Sequence, residues 1–564
     1  MVYKVAATEL LPLRERALND LDENRYRSII RDLLKASPLY FSYTFDITSN
    51  FQRQSDADLS LPMWQRTDDR FFWNRFIQSD FINFRLGKGS RFGQTREQST
   101  IDPFILPVMF GMLEIKNTSI KATPLTFIII SRRSRFRAGT RYFSRGIDED
   151  GNVSNFNETE QAIILNDEAS KSPISYTGDE GLHYDKLRAT VGKEAQVLSY
   201  VQTRGSVPVF WSEVSNLHYV PELQIRGVDS ALGAAQCHFD QQIEIYGDQY
   251  LVNLVKQKGR EQRVKEAYEQ VVQSLVSDPS ISKSSDHRSP EKLNVIEPTK
   301  SKSRYDRLHY VYFDFHNETK GLQWHRTKIL LQQLEQPIIQ RGYFRAVDMP
   351  GDSQGTVEVR NRQGAVVRTN CMDCLDRTNV VQSMLGRFIL SRMLIDLGIL
   401  REGEVFEQDH AFEVLFRNMW ADNADIVSNA YSGSGAMKTD FTRTGERTRM
   451  GALADLNSAL TRYVKNNFLD GPKQDAYDVF LGTYRPASQL GRGSIFADTR
   501  PLAIQGTPYI LIAASILLLV GSFTRRDSND AVWPLRLTMI ISFFVAVICL
   551  YFMWSNGKLF VSAV

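Results

Sequence analysis

Cysteine is scarce in this chain: four in 564 residues, at positions 237, 371, 374 and 549. So few cannot build a disulfide framework, which points to a reducing compartment for the main body. They cannot build a thiolate zinc site either, because Cys371 and Cys374 form the one C-x-x-C and no close histidine pair joins them. No metal or other cofactor is implied. An excess of either charge is also missing. Lys+Arg 68 against Asp+Glu 65 leaves a net +3, which excludes a general nucleic-acid binder. Met1 to Leu10 contain Lys4 and Glu9 and no apolar core, so no signal peptide is expected there. A chain this long exceeds one hydrophobic core, and two or three domains are expected.

What is present centres on Arg368-Thr369-Asn370-Cys371-Met372-Asp373-Cys374-Leu375-Asp376-Arg377-Thr378-Asn379. Before it, Ala365-Val366-Val367 is short, apolar and β-rich, and reads as a buried strand. After it, Val380, Val381, Met384, Leu385, Phe388 and Ile389 recur at helical spacing, with Gly398 as a stop. Cys371 to Arg377 is therefore expected to be a loop between strand and helix. A helix N-terminus offers unpaired N–H groups and partial positive charge, and a loop curled over it can add its own amides. Arg377 supplies a planar fork for phosphate oxygens. The same field favours thiolate at Cys371, since an ordinary cysteine is only ~3% ionised at pH 7. A phosphocysteine intermediate suits this arrangement. The C-x-x-C also invites a thiol–disulfide reading, which gives no reason for Arg377 at that spacing. A reversible Cys371–Cys374 disulfide that switches activity off, and a lipid-binding adaptor without turnover, are the other readings.

The R-x-N-C-x-D-C-L-D-R-T-N string resembles the signature of the Sac-domain (suppressor-of-actin) phosphoinositide phosphatases and matches it throughout. The resemblance puts the nucleophile on Cys371 and the phosphate-binding arginine on Arg377. The leaving inositol oxygen needs a proton; Asp373 is the first choice of acid and Asp376 the second. Met372, Cys374, Leu375, Asp376, Thr378 and Lys438 are the expected substrate-binding residues. Further family patterns appear as Tyr43 to Asp46, Asp102 to Met109, Arg204 to Trp211 and Tyr310 to His316. Resemblance implies a β-rich, sandwich-like N-terminal module over 1–175 beside an α/β catalytic domain over 176–482. The implied substrate is phosphatidylinositol 4-phosphate in a membrane, with the 3-phosphate and 3,5-bisphosphate as alternatives.

Other stretches are less specific. Arg133, Arg135 and Arg137 alternate, so on a strand they would share one face, either a solvated edge or a contact for anionic headgroups. Arg204 either reaches a phosphate or satisfies carbonyls. Cys237 reads as a packed thiol and His316 as a core histidine. Residues 278–303 are rich in Ser, Lys, Asp and Pro, the composition of a disordered insert. Tyr431 to Asp440 mimics a nucleotide P-loop but has Met437 where glycine is required before Lys438. It reads instead as a glycine-rich loop carrying Lys438, Arg443, Arg447 and Arg449.

The C-terminal part differs in kind. After a linker over 483–501, residues 502–523 and 537–554 are two uncharged runs joined by a polar loop, a transmembrane hairpin by length and by flanking aromatics. Arg525, Arg526 and Arg536 in the loop against Arg485, Arg492, Arg500 and Lys558 outside give no orientation. The resemblance and the reducing-compartment argument place the catalytic part in the cytosol, on a multi-pass protein of the endoplasmic reticulum or Golgi membrane. Protein partners are not legible.

Overall fold

The computed structural model describes residues 1–11, 21–87, 96–121, 123–165, 195–276, 293–296, 304–320, 326–348, 357–445, 448–484, 498, 500–524 and 532–562. A single mixed sheet of twelve strands organises them. Its first half is antiparallel: β1 (Tyr3–Lys4), β2 (Leu39–Phe41), β3 (Val108–Ile120), β4 (Thr123–Arg133), β5 (Asn157–Leu165) and β6 (Gln196–Arg204) pair in that order. A small hairpin, β7 (Trp211–Val214) with β8 (Glu222–Ile225), stands apart. The second half is parallel, running from β6 to β14 (Ala365–Asn370), β9 (Asp248–Asn253) and β11 (Leu308–Phe313). β10 (Leu293–Ile296) closes that edge antiparallel to β11. β12 (Phe344–Asp348) pairs with the first half of β6 and with β13 (Val357–Asn361).

β14 sits in the middle for a reason visible in its residues. All six are buried, as a strand covered on both faces requires. Side chains alternate between two cores. On β11, Val311 and Phe313 enter one, and Tyr310 and Tyr312 the other. Helices α2 (Val228–Tyr246) and α3 (Gln262–Val276) cover the second core. The first is covered by α4 (Thr327–Arg341), α5 (Asp376–Asp396) and α6 (His410–Ser432), numbering from an N-terminal α1 (Leu21–Ala36). Gly386 permits close approach of α5 to α6: a Cβ there would stand 2.6 Å from the Trp420 ring. Two more helices, α7 (Arg449–Phe468) and α8 (Asp470–Leu481), complete the head, and α8 packs against α1.

Several expectations change. The N-terminal strands are not a separate sandwich-like layer, because β5 and β6 pair over nine residues and join both halves in one sheet. The expected boundary near 175 lies outside the described residues. Within the expected insert, Leu293–Ile296 is the edge strand β10, while 278–292 and 297–303 lie outside the described residues. The strand carrying the arginines ends at Arg133, so Arg133, Arg135 and Arg137 do not share a solvent face. Arg133 is buried beneath Tyr477 and bonds the carbonyls of Gly139 and Ala430, Arg135 pairs with Asp69, and Arg137 bonds the Arg145 carbonyl. The local backbone turns at these residues because each guanidinium finds an acceptor on the head itself.

The C-terminal apolar runs form α9 (Leu502–Phe523) and α10 (Val532–Ser555), both long and apolar enough to cross a membrane. α10 begins at Val532 rather than 537, so it takes in Trp533, Pro534 and Arg536. Pro534 lies in the first turn, where a missing N–H costs nothing. The two helices pack side by side, and Met539 Cγ would stand 2.8 Å from a Cβ at Gly521.

Candidate active site

The four parallel strands all point their carboxyl ends at one place, as open α/β sheets do where they hold ligands. β6 delivers Arg204, β14 delivers Cys371, β9 leads to Leu254 and Lys256, and β11 leads to His316. The loop is shorter than expected: Cys371 to Leu375 connect β14 to α5, and Arg377 already belongs to the first helical turn. No side chain caps that turn, which leaves its first amides for another partner.

Five successive carbonyls, from Asn370 at the end of β14 to Cys374, accept hydrogen bonds, four from outside the loop and one from the loop's own Cys374 thiol. Asn370 O accepts from Leu254 N at 2.8 Å, and Cys371 O from the Cys374 thiol at 3.3 Å. Met372 O accepts from Arg145 at 3.2 Å, Asp373 O from Asn155 at 3.1 Å, and Cys374 O from Arg204 at 3.4 Å. In a trans peptide the N–H points opposite to the C=O. The amides of residues 371 to 375 are therefore turned away from these partners. Cys374 takes φ 52°, the left-handed region that lets the loop double back.

The Cys371 sulfur is buried at the base of the loop, and the Thr378 hydroxyl donates to it at 3.6 Å. Two fully buried arginines stand behind it. Arg368 bonds Ser206 O at 2.7 Å, and Arg204 bonds Asn379, Gln382 and Cys374 O. Neither forms an ion pair with a carboxylate among the described residues, so both fields remain available to stabilise a sulfur anion. Burial lowers Arg204 to about 10, partly offset by the two cysteines. Burial pushes the Cys374 thiol up to about 12, leaving it a neutral hydrogen-bond donor to Gly205 O at 3.0 Å. Such a thiol is a poor partner for fast disulfide exchange.

Arg377 is oriented by a carboxylate. Its Nη1 bonds Leu254 O at 2.9 Å and Glu261 Oε2 at 2.7 Å, and Nη2 bonds Glu261 Oε1 at 3.0 Å. Three of five donors are engaged; Nε–H and the second Nη2–H remain, side by side on one edge of the plane. That edge is a second fork, suited to two phosphate oxygens. Desolvation opposes its charge, but Cys371 and Glu261 together hold Arg377 well above its ordinary range. Around it the charge is positive: besides burial, Lys256, Arg377 and Lys438 push the His316 pKa down.

Two expected site residues have carboxylates that are already partnered. Asp373 accepts from Arg141 at 3.0 Å and from Arg145 at 2.7 Å. Burial raises its pKa, but the two guanidiniums outweigh that and hold it far below the carboxylate range. In this conformation both guanidiniums hold its carboxylate, so proton donation requires that pairing to open. Asp376 does not face substrate with its carboxylate, which accepts from Met437 N at 2.7 Å and from Arg462 at 3.0 and 3.2 Å. It ties the glycine-rich loop to the α5 N-terminus. Met372 and Leu375 bury their side chains in cores, so only their backbones line the loop. Lys438 starts a short helix with φ 65°, its amide on Asp455. His316 is exposed rather than in the core, and Cys237 is exposed rather than packed.

Reading the sequence missed Arg141, Arg145, Glu261 and Arg462 as parts of the site. Arg141 had a signal, the arginine-rich stretch from Arg132 that ends at it. Glu261 and Arg462 had none, since they meet the loop from 116 and 86 residues away.

The family model for the SacI homology domain matches residues 1–320. The chain is 41% identical to phosphatidylinositol-3-phosphatase SAC1 of Saccharomyces cerevisiae, over 99% of this chain and 79% of that protein. It is 35% identical to phosphatidylinositol-3-phosphatase SAC1-B of Danio rerio, covering 86% and 71%. Identity to phosphoinositide phosphatase SAC7 of Arabidopsis thaliana is 32%, covering 86% and 69%.

Proposed function

The chain belongs to the SacI homology family and is a phosphoinositide phosphatase; from that premise we propose that it hydrolyses phosphatidylinositol 4-phosphate through a phosphocysteine at Cys371. The 3-phosphate is the second reading, favoured by the names of the yeast and zebrafish relatives. The observation that carries the mechanism is the set of five held carbonyls, which turns the amides of residues 371 to 375 away from those donors beside a buried sulfur. Phosphate fits there because amides, the α5 N-terminus and the open edge of Arg377 all prefer anions. Thiolate attacks phosphorus in line with the inositol oxygen, whose P–O bond breaks as it takes a proton from Asp373 or water. Water then attacks the phosphocysteine, its proton passing back to the same carboxylate or to solvent as phosphate leaves and the thiolate is restored. Asp373 serves as donor of that proton only if closure of the loop on phosphate swings it off Arg141 and Arg145. Otherwise its work is to brace the loop. Met372, Cys374 and Leu375 contribute amides, Thr378 steadies the sulfur, and Lys438 draws the headgroup inward.

The α9–α10 hairpin crosses the membrane of the endoplasmic reticulum or Golgi with the head in the cytosol. Keeping enzyme and lipid in one membrane raises their effective concentration. Phosphate release from short-chain phosphatidylinositol 4-phosphate and 3-phosphate tests the reading. Cys371→Ser should lower release by roughly a thousandfold or more, the scale of losing a nucleophile. Unchanged release would remove Cys371 from the mechanism, and the ratio between the two lipids decides the position cleaved.

A further inference from the structure

Helix α7 turns an apolar face outward. Met450, Leu453, Leu456, Leu460, Val464 and Phe468 are all exposed, Leu456 and Leu460 at 56% and 57%. At 3.6 residues per turn they fall in one stripe roughly 120° wide. The opposite face is buried and occupied: Arg462 holds Asp376, and Asn466 meets Arg141 at 3.5 Å. A stripe of this length on a surface helix calls for an apolar cover.

Its position says what the cover is. The last turns of α7 touch the base of the apolar hairpin: Ser562 N donates to Asn467 O at 2.7 Å, and Tyr463 OH to Leu217 O at 2.6 Å. Leu217 packs with Ile504 and Phe560, and the His218 ring lies 4.4 Å from that of Trp554. Tyr219 and Val220 in the same loop are 75% and 57% exposed, and Leu469 continues the apolar surface past Phe468. The stripe thus runs on from the place where the hairpin enters the head.

We propose that α7 lies in the headgroup–acyl boundary of the membrane that the hairpin crosses, its stripe in lipid and its buried face against the catalytic loop. This rests on the hairpin reading above. An amphipathic helix so placed sets the height and direction of the Cys371 loop over the bilayer. Lipid contact and loop geometry are then coupled through one element, since the residues that brace the loop sit a turn away from those that enter lipid.

The test uses the full chain reconstituted in phosphatidylcholine–phosphatidylserine vesicles. A nitrobenzoxadiazole label on Leu456→Cys, in a Cys237→Ser background, should emit as a lipid-immersed probe and be quenched about twofold or more by doxyl lipids. Water-like, unquenched emission overturns the proposal, as does a blue shift without lipid quenching in a cross-linkable dimer, which would make a second copy the cover. The same label on Leu517→Cys in α9 is the reference. If that too were unquenched, hairpin and proposal would fall together and the phosphatase reading would stand. In parallel, Leu453→Glu with Leu460→Glu should lower turnover of long-chain lipid in vesicles by about tenfold and leave short-chain substrate unchanged. Equal loss on both substrates, or no loss on either, overturns it.

Discussion

At the scale of single residues, the site is a balance of buried charges. Glu261 fixes one edge of the Arg377 guanidinium, Leu254 O takes the remaining Nη1 donor, and the Nε edge stays open, so the effect of Glu261 on rate should be through orientation. Glu261→Gln keeps one acceptor and loses the charge. We expect kcat to fall by about 10- to 100-fold, the cost of a slightly misplaced catalytic group, with KM changed less. Equal kcat for variant and parent would separate Glu261 from catalysis. Asp470 makes a different kind of prediction. Buried at the start of α8, it donates nothing and accepts from Asn466 at 2.7 Å, and burial raises its pKa from 3.8 to about 6. A raised carboxylate stabilises the fold most below its unfolded value and loses that contribution as pH rises through 6. Asp470→Asn should therefore be more stable than the parent above pH 6, by about 2–3 kcal/mol, and no more stable near pH 4. Melting of the full chain in detergent at both pH values checks the sign.

At the scale of elements, legibility followed locality. The β14–loop–α5 unit could be read from the sequence because its strand, glycine stop and apolar spacing lie within about thirty residues of one another, and short-range pattern suffices for such units. Cys371, Arg377 and Thr378 came with it. Arg133 and Arg137 could not be placed, because alternation describes a strand only while the strand lasts, and β4 ends where Arg133 finds the carbonyls of Gly139 and Ala430. The partners of Asp373 were hidden for a related reason. A carboxylate beside a nucleophile looks like an acid until Arg141 and Arg145, more than two hundred residues earlier, are brought against it. Reading the sequence reaches 449–468 only at Arg449, on the preceding loop, and the apolar stripe of α7, which periodicity alone would assign to a core, is exposed.

At the scale of the whole molecule, the two halves of the head share one sheet, and α1 near one end packs on α8 near the other. The pairing of β5 with β6 carries a practical consequence for anyone who would shorten the chain. A fragment beginning at residue 195 would keep Cys371, Arg377, Glu261 and Arg462 but lose Arg141, Arg145 and Asn155, which brace the loop. It would also bare the β6 edge from Gln196 to Arg204, nine residues whose ladder groups toward β5 are left unpaired, with Leu198, Tyr200 and Val201 among them. Such an edge recruits another like itself. Size-exclusion profiles of that fragment should run as soluble polymers or be lost to the pellet, while the intact head stays discrete. The catalytic half therefore depends on its neighbour as a chaperone does a client in reverse: β5 serves as a permanent guard strand, and removing it turns an enzyme into a seed.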